Sequence, residues 1–118
     1  MHTTPDRIKS LPSGTIFVFG SNAGGQHGGG AARTAWEKFG AQTGVGEGLR
    51  GQSYALPTME GLESFRAAAE RFIAFAHDHR DLEFMLTKVG CGIAGYDEHD
   101  VIGLFTHTPD NVIKPAGW

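Results

Sequence analysis

Two glycine-rich segments hold the residues that could do chemistry. The first is Gly20-Ser21-Asn22-Ala23-Gly24-Gly25-Gln26-His27-Gly28-Gly29-Gly30-Ala31-Ala32, and the second is Gly90-Cys91-Gly92-Ile93-Ala94-Gly95-Tyr96. Each follows directly on an apolar, strand-like run. Glycine reaches φ > 0 without strain and has no β-carbon to hold a ligand away, so successive N–H groups can converge on an anion. Where such a loop opens a helix, the unpaired N–H groups of the first turn and the helix dipole add to the attraction. Two loops of this kind suggest one phosphate-bearing ligand held between them.

Individual side chains in and beside these loops suggest further roles. Asn22 has a carboxamide that can both donate to and accept from a ribose diol; capping a turn is its plainer use. His27 sits inside the first loop, where an imidazole can act as a general acid or contact phosphate, or simply face solvent. Cys91 is flanked by glycines after a strand, but a working thiolate needs a base or a positive neighbour, and no local Cys-His signature is present. Lys88 precedes it by three positions, on a strand face that parity alone does not settle. Tyr96 closes the second loop and either stacks on a ribose or base, or edges the core.

Other patterns point away from competing chemistries. Gly46-Glu47-Gly48-Leu49-Arg50-Gly51 spells G-x-G-x-x-G, yet it stands before a strand rather than between a strand and a helix, so it is expected to shape a loop near the pocket and not to bind a dinucleotide. No P-loop string occurs. His77 and His79 point to different helix faces, and the acids around His99 fit a helix's first turn, so neither group has metal-ligand spacing. Neither a metal nor a cofactor is expected.

The elements that must position these loops follow from periodicity. Thr15 to Phe19 is a continuous β-branched and aromatic run, expected as a strand buried on both faces. Residues 31 to 39 place Ala32, Ala35, Trp36 and Phe39 on one helical stripe, with Gly40 as the stop. Ser53 to Pro57 reads as a second strand. Residues 62 to 79 bring Phe65, Ala69, Phe72, Ile73 and Ala76 to one side of a helix. Phe84 to Val89 reads as a strand, Asp97 to Phe105 as a helix and Asn111 to Lys114 as a last strand. The alternation β-α-β-α-β-α-β predicts an α/β fold with a mainly parallel central sheet and helices on both faces, where ligands sit beyond the carboxyl ends of the strands.

Composition bounds the rest. The 118 residues, 40% apolar and 19% charged, fit one compact domain, residues 1 to 118. A formal charge of −3 offers no basic footprint, so stable duplex DNA binding is not expected. No apolar run reaches membrane-spanning length and the N-terminus lacks a secretion signal, which predicts no membrane partner and a cytoplasmic location. With Cys91 as the one cysteine, no internal disulfide can form.

Taken in order, Ser21-Asn22-Ala23, then His27-Gly28-Gly29-Gly30-Ala31, and later Gly90-Cys91-Gly92-Ile93-Ala94-Gly95-Tyr96 resemble the two loops of the macro-domain family. Thr43-Gly44 and Leu56-Pro57 fall where that family has its Thr-Gly and Leu-Pro elements. The resemblance runs from about residue 15 to 105 and implies a compact three-layer macro-like domain, a short and divergent member. It implies binding of ADP-ribose or of an ADP-ribosylated macromolecule, with Asn22 on the distal ribose, Gly28 to Ala31 around that ribose and the diphosphate, and Cys91 to Tyr96 on the other side. Ser21, Ala23 and Gly90 complete the loop edges, and Asp6, with Ile8 beside it, is the candidate for the adenine contact. Hydrolysis of an ADP-ribosyl bond is also implied. The best-known hydrolytic subgroup has an aspartate where this chain has Ala32, so Asn22, His27 and Lys88 form the catalytic set here. Two alternatives stand beside this: a noncatalytic sensor or sequestering module for a free NAD-derived nucleotide, and a phosphatase or thiol hydrolase using Cys91.

Overall fold

The computed structural model describes residues 10–22, 24–25, 30–91 and 94–118. Its elements run β1 (Thr15–Ser21), α1 (Gly30–Lys38), β2 (Gly48–Arg50), β3 (Ser53–Pro57), α2 (Leu62–Asp78), β4 (Glu83–Leu86), α3 (Glu98–Ile102), a 3₁₀ turn (Gly103–Phe105) and β5 (Val112–Ile113). The five strands form one sheet in the order β2-β3-β1-β4-β5. β3, β1, β4 and β5 run parallel, and β2 pairs antiparallel with β3 at the edge. The chain is therefore an α/β protein with a mixed, mostly parallel sheet.

β1 is central, and its alternation feeds two separate cores. Ile16 and Val18 join Tyr54, Leu56, Phe84 and Leu86 under Phe65, Ala68, Ala69, Phe72 and Ala76 of α2, with Val101 and Phe105 closing the cluster. Phe17 and Phe19 point the other way and join Ala55, Ala35 and Phe39. That period of two is what a strand buried on both sides requires. The apolar stripe read for α2 is the one it buries, and Ile73 packs at its margin.

Four local readings need correction. Trp36 is not on the buried stripe of α1: it is 51% exposed, because the helix meets the sheet through Ala35 and the adjoining Phe39, with Ala31 and Ala32 packed at the margin. The G-x-G-x-x-G segment is not all loop. Its Gly48–Arg50 part is a strand, turned back onto Ser53 through Gly51, whose φ of 58° suits the first central position of a two-residue hairpin turn. The helix read over residues 97 to 105 divides into α3 and the 3₁₀ turn. Asp97 stands outside it as the N-cap, accepting from the His99 amide at 2.8 Å. The flanking strands are also shorter than read. β4 ends at Leu86, and β5 keeps only Val112–Ile113; the Asn111 carbonyl still accepts from the Phe84 amide at 2.8 Å, while its side-chain nitrogen donates to the carbonyls of Ala76, His79 and Leu82 at 2.9, 3.1 and 3.1 Å, tying the end of α2 to the turn before β4.

Tyr54 links this core to the segment before β2. Its ring is buried against Phe72 and Phe75, and burial, reinforced by the Glu47 carboxylate and opposed by Arg71, pushes its hydroxyl up to about 12. The unfolded chain releases this proton near its ordinary pKa of about 10, two units earlier, so stability is intact below that pH and is lost as pH climbs towards 12. In an alkaline titration followed by tyrosinate absorbance, one of the two tyrosines is expected to ionise only near 12, and Tyr54→Phe to remove that step. Ionisation of Tyr54 at the ordinary value would contradict the packing.

Candidate functional site at the ends of β1 and β4

In an open parallel sheet, a crevice forms where two adjacent strands send their connections in opposite directions. That point lies between β1 and β4. From β1 the chain passes through α1 towards β3 on one side; from β4 it passes through α3 to β5 on the other. The two glycine segments are these departing connections.

They are brought together. A β-carbon on Gly20 would lie 3.6 Å from the Gly90 amide nitrogen and 3.5 Å from the Thr58 hydroxyl. Thr58, which nothing in the local sequence singles out, is buried beneath the first loop; its amide and hydroxyl both donate to the Ser21 carbonyl, at 2.8 and 3.3 Å. It follows directly on Leu56-Pro57, and only the β1–β3 register, which sets Ser21 opposite Pro57, places it there.

The first loop turns at once. The Gly25 amide donates to the Asn22 carbonyl at 3.0 Å, and the Asn22 side-chain oxygen lies beside Gly24. Gly25 has φ 70° and accepts from the Gly44 amide at 2.9 Å, so the Thr43-Gly44 segment docks on this loop, backbone to backbone. Gly30 and Ala31 begin α1. The second loop is closed at its base, where the Tyr96 amide donates to the Gly90 carbonyl at 2.9 Å. Gly90, at φ 79°, is wedged against the Phe65 and Tyr96 rings. Tyr96 itself packs on Phe65, with ring centroids 5.4 Å apart, and so takes the core-edge role at its ring. Ala94 and Gly95 lie along the same return, half-buried and exposed.

Lys88 faces outward at the mouth of the second loop and pairs with Glu98 at 3.3 Å. The same Glu98 oxygen accepts from the Trp118 indole at 3.1 Å, and the Trp118 ring stacks on Phe105. The indole N–H and the Lys88 ammonium hold the Glu98 carboxyl below the usual carboxylate range. Cys91 is partly buried with its sulfur near the Val89 carbonyl at 3.7 Å. Burial raises its thiol pKa, and Glu98 and Asp97 add to the rise while Lys88 opposes it. A nucleophilic thiolate needs the opposite environment.

His79 stacks on Phe75 and holds its carbonyl at 2.7 Å, as a ring at a helix C-terminus does. Among the described residues no group of three His, Cys, Asp or Glu side chains converges. No described helix is long and apolar enough to cross a membrane. Asp6, Ile8, Ala23, His27, Gly28, Gly29, Gly92 and Ile93 lie outside the described residues.

Set against family models, curated proteins and solved structures, the chain finds no match. The functional reading therefore stands on the sequence pattern and on the approach of the two loop bases at the switch point between β1 and β4.

Proposed function

We propose that this chain is a three-layer macro-like domain that binds ADP-ribose, or an ADP-ribosyl group on a macromolecule, with the diphosphate between the loops after β1 and β4. The approach of Gly20 to Gly90 across the switch point carries this reading. It supports a shared site for the two N–H-rich segments, whose bases meet at the end of a parallel sheet where nucleotides are ordinarily bound. Asn22, at the exit of β1, takes the distal ribose. Hydrolysis of the ribosyl linkage would proceed by water attack at the anomeric carbon, driven by positioning and by loop dipoles holding the diphosphate, with Asn22 fixing the ribose. The raised pKa of Cys91 speaks against the thiol-hydrolase alternative.

Calorimetric titration with ADP-ribose, AMP and NAD tests the binding. ADP-ribose is expected to bind most tightly, and Asn22→Ala to weaken it by about 1–3 kcal/mol, the cost of leaving polar partners unmet. AMP binding as tightly as ADP-ribose would remove the diphosphate from the account. Incubation with ADP-ribosylated protein and DNA then separates hydrolase from sensor: tight binding without release of ADP-ribose leaves only the binder.

A further inference from the structure

The two loops are poor in positive charge. Residues 13 to 32 contain no lysine or arginine, and between residues 81 and 113 the only one is Lys88, while Asp97, Glu98 and Asp100 follow the second loop directly. Lys88 is itself engaged, by the Glu98 oxygen that Trp118 also holds. Among the described residues of the two loops, an anion would thus meet main-chain dipoles, an ammonium already paired, and an acidic flank.

We propose that Glu98, fixed by Trp118, is a specificity-determining residue of this crevice: by occupying Lys88 it admits a diphosphate esterified at both ends and penalises nucleotides that end in a free phosphate. This rests on the reading of the crevice as a diphosphate site. The physical difference between the two ligand types is charge. A terminal phosphate carries a second ionisable oxygen with pKa of about 6 and is more negative at neutral pH than a diester. Backbone N–H groups hold the fixed charge of a diester, whereas an additional charge calls for a free cation. The Lys88–Glu98 pair withholds that cation, and Glu98 repels the extra charge directly. Both partners are about half exposed, so the effect is modest and falls with salt.

The test compares ADP-ribose with ADP, which differ in whether the distal phosphate is esterified, by calorimetry without divalent cations at low and high salt. Glu98→Gln keeps an oxygen for the Trp118 indole but releases Lys88. ADP is expected to gain affinity relative to ADP-ribose by about two- to five-fold at low salt, the range for an exposed ion pair, and by less at high salt. An unchanged ratio, or equal weakening of both ligands, overturns the proposal, since a merely structural role moves both together. Should the unsubstituted chain bind ADP-ribose and Glu98→Gln leave the ratio unchanged, the crevice reading survives and Glu98 loses its role. Binding of neither ligand by the unsubstituted chain removes the diphosphate reading, and the proposal with it.

Discussion

Gly25→Ala is expected to destabilise the fold by about 2–5 kcal/mol, combining roughly 1–2 for a left-handed backbone with about 1–3 for overpacking. At φ 70° the new β-carbon would lie 2.4 Å from both the Gly44 carbonyl carbon and the Val45 nitrogen. These are backbone atoms, and they cannot rotate away as a side chain would. Gly14 supplies the comparison: its φ is 84°, yet nothing stands within 4 Å of the position a β-carbon would take. Gly14→Ala should therefore lose only the conformational part, about 1–2 kcal/mol. Urea unfolding of the two variants measures the difference. Equal losses would mean that the Gly25–Gly44 crossing is not as tight as described. Since that crossing also shapes the turn after Asn22, the surviving folded fraction of Gly25→Ala should bind ADP-ribose more weakly, whereas Gly14→Ala should not.

Asn111→Asp should cost as much or more, about 3–5 kcal/mol at neutral pH, the penalty of a buried charge without a partner. The Asn111 side-chain nitrogen serves three carbonyls between the end of α2 and the start of β4 and its oxygen has no partner among the described residues, so the arrangement uses this side chain purely as a donor. A carboxylate there would face three oxygens. Asn111→Ala removes the donor without adding charge and should lose less, about 1–3 kcal/mol. Burial raises the pKa of the introduced acid, so the Asp variant should recover stability as pH falls and the group becomes protonated. A chemical-denaturation series across pH that ranked Ala below Asp at neutral pH would refute the donor account.

These two sites also mark where local sequence stops informing. The β1 run and the α2 stripe are legible because each buries a face whose period, two or 3.6, is written in consecutive residues. β2 is not: its three residues become a strand only because Gly51 returns the chain onto Ser53. Trp36 is misread because a helix that touches the sheet through small alanines, Ala31, Ala32 and Ala35, and the adjoining Phe39 lies with its Trp36 side turned to solvent. The glycine loops could be read as a site from their place after strands. That they meet depends on β4 inserting beside β1, a long-range event. Thr58 under Ser21, and Trp118 behind Glu98, follow from the same long-range packing.

The segment from residue 40 to 51, dense in glycine, resembles a slack tether when read as text. Its two ends instead abut: a β-carbon on Gly51 would fall 3.0 Å from the Gly40 α-carbon, and the Gln52 amide donates to the Phe39 carbonyl at 2.9 Å. With no side chain between them there is nothing to trim in compensation. A reporter peptide or affinity tag spliced into this stretch would pry the hairpin from the end of α1 and disturb the Gly44 contact at the same stroke. For protein engineering it is among the least forgiving places to lengthen the chain.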